Sequence, residues 1–114
     1  MVNLNNGYYK ILMSDTHPYA IQSSRKYLDV SGISQSNGAK VHFWSGTSGA
    51  NQEWKPILQT DGSVKLKVRH SGKCLQHGSD GILEQHTCRS RGDADANQRF
   101  VINATSYNSN EGYD

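Results

Sequence analysis

A carboxylate, an aromatic ring and two amides fall between residues 29 and 52 of the sequence. Asp29 only accepts hydrogen bonds when it is ionised, whereas Asn51 and Gln52 both donate and accept them. Trp44 adds a flat apolar surface with a polar edge. A ligand that suits this combination offers hydroxyl groups around a weakly apolar ring face, which is the chemistry of a neutral sugar.

A similar order of residue types returns later in the chain in a weaker form. This second set keeps two amides but has an amide in place of the carboxylate and an imidazole in place of the indole. Its members, in order, are Gln76, His86, Asn97 and Gln98. An amide accepts more weakly than a carboxylate, because charge-assisted hydrogen bonds are roughly twice as strong as neutral ones. We therefore expect a second site to bind weakly or not at all.

The elements that position these residues form an internal repeat. Ala-Asn-Gln-Glu-Trp at residues 50–54 recurs as Ala-Asn-Gln-Arg-Phe at residues 96–100. Upstream, Ser-Arg-Lys-Tyr-Leu-Asp at residues 24–29 aligns with Ser-Gly-Lys-Cys-Leu-Gln at residues 71–76. The two alignments agree in spacing to within one residue, which indicates two related units.

Each unit predicts four short strands. In the first unit they cover residues 19–23, 27–30, 40–44 and 53–58, and in the second unit residues 64–68, 74–76, 82–85 and 99–102. Asn-Gly, Asp-Gly and Ser-Gly pairs between the strands are typical of tight turns, including Asn37-Gly38 and Asp61-Gly62. No segment keeps an apolar period of 3.6 residues, so the sequence predicts an all-β fold without a long helix.

Length and composition restrict the remaining possibilities. A chain of 114 residues is enough for one domain, and its hydrophobic fraction, 34% without counting glycine, is low. The net charge is +2, and the basic residues are scattered, so we expect no nucleic-acid partner. No apolar run is longer than three residues, as at residues 11–13, which is far too short to insert into a membrane or to act as a signal-peptide core.

With these motifs in place, residues 19–102 resemble the ricin-type lectin family. The resemblance is carried by Gln-x-Trp at Gln52 and Trp54, by Gln-x-Phe at Gln98 and Phe100, and by the segments 27–32 and 37–44. It implies a β-trefoil, a fold of three pseudo-symmetric lobes with four strands each. In such a fold we expect Trp54 and Phe100 to point into the shared core, since residues two apart on a strand face the same side.

The resemblance also implies roles for the first set of residues. The aspartate of the family accepts hydrogen bonds from two neighbouring ring hydroxyls, the aromatic residue stacks on the sugar, and the asparagine donates to a hydroxyl. The glutamine supports the aspartate and its loop. A histidine stands where the family often has a glutamine, and a glycine offers backbone at the rim. The expected carbohydrate-binding residues are therefore Asp29, Gly32, His42, Trp44, Asn51 and Gln52.

Cys74 and Cys88 occupy positions that are joined by a disulfide in many members of the family. The resemblance therefore implies an oxidising compartment and a secreted or extracellular protein. The alternative is zinc, because His77 and His86 lie at ligand-like spacings from the two cysteines. We expect the disulfide, and we expect neither a metal site nor a cofactor.

The repeat accounts for two lobes and leaves the third degenerate or incomplete. We expect one domain over residues 1–114, with repeat one at 19–58 and repeat two at 62–102. In one interpretation residues 1–18 and 103–114 jointly form a partial third lobe, with a strand near residues 7–13. In the other, the chain is cut from a longer one or completes its barrel with a second copy.

Two functional classes follow. The first is a non-catalytic lectin or carbohydrate-binding module for terminal galactose, N-acetylgalactosamine or a plant polysaccharide such as xylan. Its partners would be glycans, with the domain present as a homo-oligomer or attached to a toxin or a glycoside hydrolase. The alternative is a β-trefoil that serves as a protein-interaction or inhibitory scaffold and keeps only a vestigial sugar site. A small hydrolase ranks last, because no catalytic triad is recognisable.

Overall fold

Short strands joined by glycine-containing turns make up nearly all of the regular structure. The computed structural model describes residues 1–12, 26–90 and 93–101. Within these ranges the strands are β1 Val2–Asn3, β2 Tyr9–Lys10, β3 Lys26–Val30, β4 Val41–Ser45, β5 Trp54–Leu58, β6 Val64–Val68, β7 Cys74–His77 and β8 Leu83–His86. The described residues also form a four-residue helix, α1, at Asp93–Ala96, and single 3-10 turns at Ser31–Ile33, Ala50–Gln52 and Ser79–Gly81.

The predicted strands agree closely with the observed ones where the chain is described. The prediction for residues 64–68 matches β6, and the others between residues 27 and 85 are displaced by one residue at one or both ends. The predicted strand at 99–102 is reduced to a single bridge from Phe100 to Val64. The predicted strand at 19–23 and the tail after residue 101 lie outside the described residues.

Turn chemistry explains where the strands end. Gly38 and Gly62 have φ angles of 87° and 89°, which residues with a Cβ atom rarely adopt. Asn37-Gly38 precedes β4, and Asp61-Gly62 joins β5 to β6. The glycine pairs of the sequence therefore set the strand boundaries as predicted.

The strands form two antiparallel sheets. The larger sheet has the order β1-β2-β5-β6-β7-β8, and β3 and β4 form a separate pair. In that pair Asp29 lies opposite His42 and Tyr27 lies opposite Trp44. In the pair β7 and β8, Gln76 lies opposite Glu84 and Cys74 lies opposite His86. The two hairpins thus hold the two sets of candidate residues in the same register.

The core is built from aliphatic side chains around one indole ring. Trp54 is fully buried, and its Nε1–H donates to the Leu28 carbonyl at 3.0 Å. It packs with buried Leu28, Val30, Val41, Val64, Leu66, Val68 and Leu75, and Phe100 is half-buried against them. The two aromatic residues therefore face the core, as the spacing of the motif predicts.

The two units make equivalent pairings through β2 and β6. Tyr9 of β2 pairs with Trp54, as Val64 of β6 pairs with Phe100. β2 therefore holds in the first unit the place that β6 holds in the second. The repeat boundaries 19–58 and 62–102, and the assignment of residues 1–18 and 103–114 to a third lobe, stay predictions.

A disulfide joins the two cysteines, Cys74 on β7 and Cys88 after β8. The zinc alternative is wrong, since it requires two free thiolates. Elsewhere in the described ranges no group of three His, Cys, Asp or Glu side chains is arranged to hold a metal ion. Over the same ranges, the structure contains no helix with the length and apolar character needed to cross a membrane.

Candidate functional site

The β3–β4 hairpin brings the first set of candidate residues to one open pocket. His42 and Trp44 are two residues apart on β4 and face the same side, and Asp29 lies opposite His42. The pocket has a volume of about 420 Å³. It is lined by Asp29, Ser31, Gly32, Ile33, His42, Trp44, Thr47, Gly49 and Asn51. Gln52 is the one residue of the predicted first set that does not line the pocket.

Asp29 forms the buried floor of the pocket. Its Oδ1 lies 2.9 Å from His42 Nε2, and its Oδ2 accepts hydrogen bonds from Asn51 Nδ2 at 3.1 Å and Gln52 Nε2 at 2.9 Å. Because an ionised carboxylate can only accept, His42 presents a protonated Nε2 to it. Three donors compensate the cost of removing this charge from water.

Gln52 supports the Asp29 floor without lining the pocket, and all of its amide donors and acceptors have partners. Its Nε2 donates to Asp29 and to the Ser45 carbonyl at 2.8 Å. Its Oε1 accepts from the Thr47 N–H at 2.9 Å and from Lys10 Nζ at 3.3 Å. Gln52 is fully buried, so it acts on the pocket through Asp29 and the loop, as the resemblance implies.

Asn51 is bonded to the buried floor of the pocket. Its Nδ2 donates to Asp29 Oδ2 and to the Val30 carbonyl, both at 3.1 Å, so both of its hydrogens are used. The opposite orientation of the amide would set its oxygen against these two acceptors. In this arrangement both amide hydrogens of Asn51 bond within the protein, and its role as a donor to a sugar hydroxyl stays a prediction.

Trp44 stands at the open side of the pocket. Its side chain is 54% exposed, and its ring stacks on His42 with centroids 5.1 Å apart and planes inclined by 16°. The exposure excludes a role in the core. An exposed indole beside a buried carboxylate gives the pocket an apolar wall next to a polar floor.

The rim opposite the floor has an unusual backbone. Gly32 and Ile33 have φ angles of 65° and 55° within the turn that follows β3. A positive φ at a β-branched residue is strained, and such strain tends to occur at functional sites. Ile33 is also exposed. Gly32 was expected at the rim, but nothing in the sequence pointed to Ile33.

The second set of residues repeats the scaffold of the first. Gln98 is fully buried, and its Nε2 donates to Gln76 Oε1 at 3.0 Å and to the Thr87 carbonyl at 2.9 Å. Gln76 Nε2 in turn donates to Glu84 Oε2 at 3.1 Å. A carboxylate is therefore present in the second unit, but it lies on β8, the equivalent of β4, whereas Asp29 of the first unit lies on β3. Sequence reasoning missed Glu84 because its pairing with Gln76 depends on the register.

The remaining members of the second set are less well placed. Asn97 is exposed, and its backbone carbonyl accepts from the His77 N–H at 2.9 Å. His86 Nδ1 lies 3.1 Å from Arg89 Nη2, which is three residues further along the chain. The second unit thus keeps the buried glutamine and its loop contacts without an exposed indole wall.

Two lysines that the sequence did not single out support the two loops. Lys10 donates to the Thr47 carbonyl, and Lys65 donates to the Arg89 carbonyl. Lys65 is buried and also pairs with Asp95. The alternation of β6 would have predicted an exposed side chain at this position. These equivalent contacts show that each glutamine loop is held by a lysine, from β2 in the first unit and from β6 in the second.

The perturbed ionisable groups lie away from the pocket. Hydrogen bonds from the side chain and backbone of Ser63, with a contribution from Arg99, lower the pKa of Asp61 to about 2. A hydrogen bond from Lys65, followed by one from Arg99, lowers the pKa of Asp95. A hydrogen bond to Glu53 raises the pKa of Arg69, and one to Asp95 raises that of Arg99. These groups form ion pairs that tie loops together.

Comparison with protein families decides the classification. The model of the ricin-type β-trefoil lectin domain-like family matches residues 2–87. The chain belongs to this family. Its fold is therefore a β-trefoil of short antiparallel strands, as the resemblance implied, and membership indicates carbohydrate binding in general. A search of curated proteins found no match.

Solved structures similar to this ricin-type domain include designed and natural proteins. ThreeFoil, a designed three-fold symmetric protein, has 38% identity and a TM-score of 0.68, with 88% of this chain and 66% of that chain covered. An exo-β-1,3-galactanase from Clostridium thermocellum, 1,3Gal43A, has 27% identity and a TM-score of 0.65, with 89% and 21% covered. The cytolethal distending toxin of Haemophilus ducreyi has 15% identity and a TM-score of 0.59, with 90% and 56% covered, and shows the fold alone. The chain thus spans two thirds or less of each of these proteins.

Proposed function

We propose that this domain binds carbohydrate without acting on it, and that it holds a terminal galactose- or N-acetylgalactosamine-type sugar in the first-unit pocket. The observation that carries the proposal is the buried carboxylate of Asp29, which has three hydrogen-bond partners and lies beside the exposed ring of Trp44. Asp29 would accept from ring hydroxyls while Trp44 covers the apolar face of the sugar. The similarity to a galactanase supports the sugar type.

The open pocket favours weak single-site binding. A dissociation constant near 1 mM corresponds to only about −4 kcal/mol, so useful retention on a glycan surface requires several linked sites. We propose that the domain gains this avidity as a homo-oligomer or by attachment to a toxin or a glycoside hydrolase. Light scattering of the purified chain tests the first arrangement, since a monomer would contradict it.

A glycan array with site variants tests the function itself. We expect the wild-type protein to be retained on one group of terminal sugars, and Asp29→Ala and Trp44→Ala to abolish retention while the protein stays folded. Ile82→Ala is the matched control, because Ile82 is similarly exposed, at 51%, and lies outside the pocket. Unchanged retention in both site variants would overturn the proposed location of the site.

The alternative is a protein-interaction scaffold with a vestigial sugar site, and one observation favours it. Leu58 and Val101 are 75% and 88% exposed; Leu58 pairs with Val64 from one side, and Val101 follows Phe100, which pairs with Val64 from the other side. Exposed apolar side chains can mark contact surfaces. Two results together would favour this function: the domain binds no glycan on the array, and it captures one protein stoichiometrically. Leu58→Ser should abolish that capture.

We also propose that the protein is secreted or extracellular. The disulfide between Cys74 and Cys88 supports this, because such bonds persist in oxidising compartments. Thiol titration of unfolded protein isolated from its natural source should find no free thiol. Two titratable thiols per chain would place the protein in a reducing compartment.

A further inference from the structure

Gln85 on β8 is a fully buried glutamine that belongs to neither Gln-x-aromatic motif. It pairs with Leu75. Phe43 holds the equivalent position in the first unit, opposite Leu28, and packs against the core. The repeat alone would therefore place an apolar side chain at residue 85. Because a buried amide is costly unless its polar atoms have partners, the partners of Gln85 show what its polar group contributes.

Both hydrogens of the Gln85 amide are used on the loop that forms the rim of the first-unit pocket. We define this rim loop as residues 31–36. The Nε2 atom of Gln85 donates to the Ser34 carbonyl at 2.7 Å and to the Ser36 carbonyl at 2.9 Å. Its Oε1 atom accepts from the Ser71 hydroxyl at 2.9 Å, which fixes the orientation of the amide. A side chain of the second unit thus holds a loop of the first unit.

A histidine supplies a second donor to the same carbonyl. The Nε2 atom of His70 lies 2.7 Å from the Ser34 carbonyl oxygen, and because a carbonyl only accepts, this nitrogen carries a hydrogen. Within the described part of the chain, the Nδ1 atom of His70 is buried without a hydrogen-bond partner. The imidazole therefore contributes its hydrogen bond to Ser34. The backbone carbonyl of His70 also accepts from Gln35 Nε2 at 3.2 Å.

The carbonyl that receives these two donors comes directly after the strained part of the rim loop. Gly32 and Ile33 have positive φ angles, and Ser34 is the next residue. A β-branched residue keeps such a conformation only where its surroundings impose it. Ile33 is exposed, so core packing does not impose it. The hydrogen bonds from Gln85 and His70 fix the backbone immediately after Ile33 and thereby restrict it.

We propose that Gln85, assisted by His70, is a positioning residue for the first-unit pocket. Neither residue lines the pocket, whereas Gly32 and Ile33 do, so Gln85 acts through the conformation of the rim loop. A rim loop that leaves this conformation for part of the time lowers the apparent affinity in proportion. The inference rests on the proposed function, because the rim belongs to the proposed sugar site.

Two matched variants separate positioning from a merely structural role. Gln85→Met keeps a similar length and removes both donors. Gln98→Met is the control, because Gln98 is also fully buried and its Nε2 also donates to two acceptors, on Gln76 and Thr87. Urea unfolding gives the stability of each variant. Ligand-observed NMR gives the affinity for methyl β-galactoside, or for the methyl glycoside of another sugar if the glycan array selects it. Spectra of protein with labelled isoleucine methyl groups report on Ile33 without any ligand.

We expect Gln85→Met to weaken binding of the glycoside about 10-fold, as when the rim loop keeps its binding conformation for about a tenth of the time. The Ile33 methyl signal of the free variant should shift. Gln98→Met should be destabilised as well, but should keep the wild-type affinity and the wild-type Ile33 signal. Equal affinities in the two folded variants, or an unmoved Ile33 signal in Gln85→Met, would overturn the inference. A wild-type protein that binds no sugar would overturn the proposed function, and this inference with it.

His70→Phe keeps the test decisive if Gln85→Met does not fold. His70 is half-buried, and phenylalanine keeps a flat ring while it removes the hydrogen bond to Ser34. We expect a smaller change in the same direction, about 3-fold in affinity, together with a shift of the Ile33 signal. His77→Phe, at an exposed histidine of β7, is the control and should change neither. Wild-type affinity and an unmoved Ile33 signal in His70→Phe would then overturn the inference.

Discussion

The indole of Trp44 is the residue on which the affinity of the proposed site depends most directly. Its ring is more than half exposed, so its removal costs the fold little burial energy. We expect Trp44→Ala to weaken sugar binding about 10-fold or more and to change the free energy of unfolding by less than about 1 kcal/mol. Calorimetric titration and thermal unfolding measure the two effects. Trp44→Phe, which keeps an aromatic face, should recover part of the affinity.

Gly49 gives a second prediction at the scale of single residues. A Cβ atom at this position would lie 2.5 Å from Asn51 Oδ1, so the Asn51 side chain must move away from the floor. We expect Gly49→Ala to reduce sugar affinity several-fold, because the contacts of Asn51 with Asp29 and Val30 are disturbed. Ser48→Ala, at an exposed neighbouring position, is the control. Wild-type affinity in Gly49→Ala would show that the contacts of Asn51 are not needed.

At the scale of elements, the disulfide stabilises the β7–β8 hairpin. It closes a loop with a sequence separation of 14, for which the chain-entropy model gives at most about 3 kcal/mol. We expect the double variant Cys74→Ser, Cys88→Ser to lower the midpoint of thermal unfolding. Sugar binding at the β3–β4 hairpin should persist below the new midpoint, because that pocket contains neither cysteine. Loss of binding in folded protein would show that the two hairpins are coupled.

The two buried glutamines test the equivalence of the two loops. Gln52 and Gln98 are both fully buried, and each bonds to the backbone of the segment that precedes it: Gln52 to Ser45 and Thr47, and Gln98 to Thr87 and Arg89. We expect Gln52→Ala and Gln98→Ala each to cost about 2–4 kcal/mol of unfolding free energy, because each leaves buried partners unsatisfied. Urea unfolding measures this cost. Only Gln52→Ala should also weaken sugar binding, and an equal loss in Gln98→Ala would indicate that the second unit contributes to affinity.

At the scale of the whole molecule, ion pairs between loops set the response to acid. Arg99 bonds to both Asp61 and Asp95, and the pKa of each carboxyl is lowered. A carboxyl with a lowered pKa in the folded state adds stability that is complete above its unfolded pKa, near 4, and is lost as the pH falls through the folded value, about 2 for Asp61. The midpoint temperature of thermal unfolding should therefore decrease as the pH is lowered from 4 to 2.

Asp61→Asn tests this assignment. The variant should show a smaller decrease of the midpoint over the same pH range, because one of the linked carboxyls no longer titrates. Thermal unfolding at half-unit pH steps measures both proteins. Identical slopes would show that Asp61 does not contribute to the acid response.

The sequence by itself determined the fold of this molecule. The repeated Gln-x-aromatic motif and the glycine turns predicted the strands of both units, and the family comparison confirmed the β-trefoil. These features are local, because a turn residue and a strand period act on their immediate neighbours. The motif also placed Asp29, Trp44 and Asn51 in one candidate site, and the structure brings these residues to one pocket.

Only the tertiary structure decided how the groups within that site are used. Glu84 faces Gln76 because of the register between two strands, and Lys10 reaches the Gln52 loop across the sheet. Whether Asn51 donates to a ligand or accepts from it depends on which of its atoms already have partners. Whether a polar atom already has its hydrogen-bond partners is a property of the assembled site and not of the residue type. The sequence therefore indicated which residues form the pocket, and the tertiary structure decided which of their atoms are already bonded.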